Sequence, residues 1–160
     1  MEKVKRHLWS YQRLRDRIQF EEEKFFEEYR NTLEQVAVLK AGLILPSVAS
    51  DGMPHASGAT KDRMAEVFAE IDEILRKCRS RIDELVDQRA QAQKIMNNII
   101  SEIEEVEDSG CRVLLFYRYI IGLKWEEIAE KLKVNEDYCR NGLHYKALEE
   151  FKKVTKSNIK

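Results

Sequence analysis

The sequence predicts an all-α protein, and three observations carry that expectation. Only two prolines and six glycines interrupt 160 residues, and 36% of the residues are charged. A chain so rich in Glu, Lys, Arg, Leu and Ile suits long exposed helices better than a sheet. Apolar residues recur at alternating steps of four and three through the middle of the chain, and residues 111–151 break into short apolar runs with the spacing of a helix-turn-helix. The expected architecture is a long N-terminal antiparallel helical hairpin, coiled-coil-like, over residues 1–107, followed by a small C-terminal helix-turn-helix bundle over residues 108–160.

The first helix is expected to run about 40 residues, on the stripe Leu8, Tyr11, Ile18, Phe25, Tyr29, Val36 and Leu39, with Arg15 and Glu22 interrupting it. Punctuation then gathers between residues 42 and 60, where both prolines (Pro46, Pro54) and three glycines fall, and this stretch reads as the connector. Thr60 is the expected N-cap of the second helix, with Asp62 in its first turn. From Met64 the repeat continues through Phe68, Ile71, Leu75, Cys78, Ile82, Leu85, Arg89, Ala92, Met96, Ile99, Ile103 and Val106. Only Arg89 departs from it, so the segment reads as a coiled-coil seam on a helix roughly 65 Å long. Two helices of similar length joined by one connector fold back most economically as an antiparallel pair. Dimerisation through leftover apolar surface such as Trp9, Phe20 and Phe26 is left open.

Asp108-Ser109-Gly110 marks a second break, after which the pattern changes. Cys111 to Ile121 is apolar and aromatic, and Gly122 supplies a turn. Trp125, Ile128, Ala129 and Leu132 share one helical face. Asn135 caps a third helix through Cys139, Leu143, Ala147 and Phe151. The register has a physical logic. Ala129 is small where two helices must approach closely, Val134 plugs the turn, and Cys139 and Leu143 anchor the recognition helix to the same core. Lys133 stands where such a turn usually carries glycine for a left-handed backbone.

Charge sharpens the picture modestly. Net charge is only −1, yet residues 51–106 hold 8 Lys/Arg against 12 Asp/Glu while residues 107–160 hold 11 against 9. The basic end is the end expected to meet phosphate. Three scattered cysteines with no Cys-x-x-Cys pair read as reduced thiols. The start of the chain lacks the basic-then-apolar pattern of a secretory signal, and Gly42–Val48 is too short to span a bilayer. A cytoplasmic protein without membrane contact is expected. His7, His55 and His144 have no ligand-type neighbours at metal-binding spacing, and no phosphate loop or nucleophile elbow occurs. Neither a cofactor, a metal nor a catalytic role is expected.

The blocks Val113–Ile120, Trp125-Glu126-Glu127-Ile128-Ala129 and Leu143-His144-Tyr145-Lys146-Ala147-Leu148 resemble the C-terminal region of phage-encoded regulators related to sigma-factor region four, among them the RinA-like and ArpU-like activators of late phage genes. The segment Ser50–Gly58 followed by Lys61-Asp62 is similar to the loop between the two N-terminal helices of that group. The chain departs from the group at Lys133 and Asn135, where Gly and Ser are more usual, and at Gly142 inside the recognition helix. The resemblance implies a phage- or prophage-type transcription regulator that binds double-stranded DNA sequence-specifically and contacts RNA polymerase. The long helices would make it a homo-oligomer, most simply a dimer. A terminase small subunit for DNA packaging and a coiled-coil protein-interaction adaptor are the alternatives.

The expected DNA-facing residues are Asn135, Glu136, Tyr138, Arg140, Asn141, Tyr145 and Lys146. Asn141 suits adenine, through its paired donor and acceptor, and Glu136 suits the cytosine amino group. Arg140, Lys146, Lys152 and Lys153 suit phosphates, and the N-terminus at Trp125 offers further amides. Tyr138 and Tyr145 have a packing alternative against Phe116 or Trp125. His144 reads as a packing or phosphate residue.

Overall fold

The computed structural model describes residues 1–44 and 58–158, and the regular structure among them is entirely helical. Pro46, Pro54, His55 and most of the connector fall in residues 45–57, outside the described residues. No described helix is long and apolar enough to cross a membrane.

The first helix is interrupted once. α1 (Glu2–Leu8) and α2 (Ser10–Ile44) part at Trp9, whose ψ is −8°. The Trp9 N–H still donates to the Lys5 carbonyl, and the Ser10 hydroxyl bonds the His7 carbonyl at 2.6 Å, so the break is local. α3 (Gly58–Glu104) starts ahead of Thr60. A threonine caps only where the backbone leaves helical geometry. Here helical backbone runs back to Gly58, so Thr60 lies inside the helix.

The chain forms two compact units, one of residues 19–87 and one of residues 1–18 with 88–160. In the first, α2 and α3 lie side by side and run in opposite directions. Arg81 pairs with Glu21, while Val38 and Leu39 share a groove with Glu70. Phe25, Val36, Ile71 and Leu85 are buried between the helices, but Phe68, Leu75 and Ile82 remain exposed. The seven-residue repeat of α3 is therefore split along its length. One neighbour covers one strip of a helix, and this stripe is too wide for a single partner.

The second unit is built around α4 (Ser109–Leu115), α5 (Trp125–Leu132) and α6 (His144–Asn158). Asp108 caps α4, its carboxylate accepting the Cys111 N–H at 2.9 Å. A π-helical segment, Phe116–Ile121, continues α4 and ends at Gly122 with φ 90°. A Cβ at Gly122 would lie 2.9 Å from the amide nitrogen of Gln12, which donates to the Arg118 carbonyl. Glycine is needed there for conformation and for space. A second π-helical segment, Tyr138–Leu143, leads into α6. The core joins Leu8 of α1 and Ile99 and Ile103 of α3 to Leu114, Tyr119, Ile128, Ala129, Cys139, Ala147, Leu148 and Phe151.

Lys133 adopts φ 54° and ψ 44°, the one non-glycine residue with positive φ among those described. The turn thus takes the left-handed backbone that glycine ordinarily supplies. A side chain in that region costs about 1–2 kcal/mol, and glycine carries an entropic penalty of about 0.5–1 kcal/mol. Lys133→Gly is expected to stabilise the protein by about 0.5–1 kcal/mol in chemical denaturation. A loss of stability would contradict the turn geometry.

Candidate nucleic-acid interface

The turn and the helix after it form a scaffold with one buried and one open side. Val134 N–H donates to the Ala129 carbonyl at 3.0 Å, closing the turn. Asn135 then caps the next helix. Its side-chain oxygen accepts the Asp137 N–H at 2.8 Å, and its carbonyl accepts the Cys139 N–H at 2.9 Å. Cys139, Ala147 and Phe151 are fully buried and Leu143 is half-buried, so these residues set which face points inward.

The seven expected site residues, Asn135, Glu136, Tyr138, Arg140, Asn141, Tyr145 and Lys146, are all exposed. Tyr138, Asn141 and Tyr145 form a stripe opposite the anchors, by helical spacing. Tyr138 is 56% and Tyr145 59% exposed, and Trp125 packs instead on His144, edge-on at 4.8 Å between ring centroids. Gly142 explains how the first tyrosine lies on this surface. A Cβ there would come within 2.9 Å of the Tyr138 ring, so the glycine makes room for it. Two members are partly committed elsewhere: the Asn135 oxygen serves the cap, and the Lys146 ammonium pairs with Asp108 at 2.6 Å. That pair ties α6 to the start of α4. It also holds the Asp108 carboxyl down to about 2, with the Cys111 N–H contributing.

The N-terminus of α5 is already served from within. Glu127 accepts the Lys124 N–H at 2.7 Å, placing a carboxylate where a phosphate would otherwise sit. Asp108, Cys111 and Glu150 bring three ligand-type atoms within 4.8 Å of one another. Burial pushes the Cys111 thiol up to about 12, and the two Asp108 oxygens are taken by Cys111 N–H and Lys146. Its chemistry is that of a capped helix start.

Beneath the open face, His144 bonds the Tyr119 hydroxyl at 2.9 Å and stacks on its ring. Burial, with the positive charges of Lys5 and Arg118, pushes its pKa down to about 4. The ring is therefore neutral at physiological pH, a packing group. Because the folded-state value lies below the ordinary one, its contribution to stability is complete above about pH 6.5 and declines as pH falls toward 4. Stability of the wild type is expected to drop across that window, and His144→Gln should flatten the drop. An unchanged pH dependence in the variant would contradict this assignment.

Sequence reasoning missed two contributors. Arg118 lies between two indoles, 4.6 Å from the Trp125 ring and 5.2 Å from the Trp9 ring. Trp9, which reads in the sequence as leftover surface, is half-buried and packs edge-on to Tyr119 at 5.2 Å. Lys5 of α1 is the other, close enough to His144 to affect its protonation. The basic run Lys3, Lys5, Arg6 was the available signal, but nothing in the pattern docks α1 beside α6. Comparison with protein-family models, with curated proteins and with solved structures finds no match to this chain.

Proposed function

We propose that the chain is a sequence-specific double-stranded DNA-binding transcription regulator of phage or prophage type, acting by binding and not by catalysis, and contacting RNA polymerase through the same C-terminal module. One observation supports this above the rest. The helix that follows the left-handed turn at Lys133 is anchored by Cys139, Leu143 and Ala147 and presents Tyr138, Arg140, Asn141 and Tyr145 to solvent. That division of labour is what a recognition helix needs to enter a major groove.

Within this reading Asn141 addresses adenine and Glu136 addresses a cytosine amino group, while Arg140 anchors to phosphate. Asn135 acts mainly as a cap, and Lys146 reaches phosphate only by sharing or leaving Asp108. The test is selection of bound duplexes from a random-sequence pool. An enriched motif is expected, with Asn141→Ala relaxing preference at one adenine. A pool that emerges without enrichment would overturn sequence-specific binding.

A further inference from the structure

The paired helices of residues 19–87 leave one face apolar. On α3, Phe68, Leu75 and Ile82 recur at seven-residue spacing, with Phe68 54% and Ile82 43% exposed. On α2, Phe26 and Leu33 repeat the same spacing, and Phe26 is 63% exposed. Both sets leave the pair on the same side. The opposite side is the groove lined by Glu28, Gln35, Lys77 and Arg81, and an antiparallel pair has only two faces between its helices. Helices in water do not keep such stripes uncovered without a reason.

The pattern on this face is symmetric about one point. Phe68 and Ile82 lie equally far from Leu75 along α3. Asp72 and Arg79, both exposed and opposite in charge, lie three residues before and four after Leu75 on a neighbouring helical position, so they are nearly level about it. The Arg81–Glu21 pair and the groove shared by Val38, Leu39 and Glu70 place Leu75 level with the stretch 26–33 of α2, so the same point falls between Phe26 and Leu33.

We propose that this face binds a second copy of the chain about a two-fold axis through Leu75, making an antiparallel four-helix bundle. The axis sets Phe68 on the partner's Ile82, Leu75 on the partner's Leu75 and Phe26 on the partner's Leu33. It also places Asp72 beside the partner's Arg79, twice over. A two-fold interface must be self-complementary in just this sense, and a patch meant for an unrelated protein has no need to be. The apolar side chains on the face leave on the order of 500 Å² exposed per copy, so the pair would bury roughly 1,000 Å², the lower end of the range for a specific interface. The inference stands apart from DNA binding, since none of these residues belongs to the recognition helix.

Sedimentation equilibrium of the full chain tests it. The wild type is expected to be a dimer at micromolar concentration. Asp72→Arg and Arg79→Asp should each raise the dimer dissociation constant about tenfold or more, because each sets like charges together across the axis. The double exchange D72R/R79D should restore it. Both substitutions are at exposed positions, and circular dichroism should show unchanged helicity in all three variants. A wild-type monomer at 100 µM or above (about the range of a weak dimer) would overturn the proposal. So would a ring of higher order, a dimer indifferent to the single reversals, or a double exchange that fails to recover association.

Discussion

Phe151→Ala is expected to cost about 3–5 kcal/mol, enough to unfold much of the population of a protein of ordinary stability. Phe151 is completely buried and sits where α6 meets α1, with the His7 ring 6.1 Å away and nearly parallel. It belongs to the same buried cluster as Leu8, Ile103, Val106 and Leu148, which come from three parts of the chain. Truncation removes the transfer energy of the ring and leaves a cavity that fixed helices on several sides cannot close. Phe151→Leu retains most of the volume and should cost about 1–1.5 kcal/mol. Urea denaturation of the three proteins separates these outcomes. An alanine variant within about 1 kcal/mol of wild type would show that α6 is not held by this contact.

Arg118→Ala is the second large effect, at about 2–4 kcal/mol, arising from a different cause. The guanidinium stacks between the Trp9 and Trp125 rings and donates to the Leu123 carbonyl at 2.8 Å. Burial lowers its pKa, and its Nε finds no hydrogen-bond partner among the described residues. The charge is thus poorly solvated, and the two rings compensate for it. Alanine removes both cation–π contacts, the carbonyl bond and the packing of the long stem. Arg118→Met fills the gap with a polarisable group and no charge to desolvate, and should be markedly less damaging. If the alanine and methionine variants are equally unstable, packing of the stem contributes nothing and that part of the explanation is wrong.

These two residues show what the sequence could and could not convey. The positions that face inward along the last helix (Cys139, Leu143, Ala147, Phe151) follow from helical spacing alone, because burial on one side imposes that period. So does the left-handed turn, which the register places at Lys133 whatever its residue type. What periodicity cannot give is the partner across the chain. Leu8 and Trp9 lie more than a hundred residues from Tyr119 and Arg118, and a stripe on α1 says only that something covers it. The repeat along α3 was legible as well, but not its division into a covered strip and an exposed one. Ile71 and Phe68 look alike in sequence, and only the placement of α2 tells them apart. The candidate DNA face was the more readable part, since exposure follows once the anchors are known. The commitments of Asn135 to the cap and Lys146 to Asp108 were not readable, as each depends on atoms brought together by folding.

The most direct measurement is fluorescence anisotropy of a labelled duplex titrated with wild-type protein and with Arg140→Glu, at about 50 and about 200 mM salt. Counterion release should weaken wild-type binding by at least tenfold over that interval, and the charge reversal should weaken it about tenfold at low salt while leaving helicity unchanged. Absence of affinity for any duplex at low salt, or equal affinity for wild type and variant, would contradict the assignment of this helix to DNA.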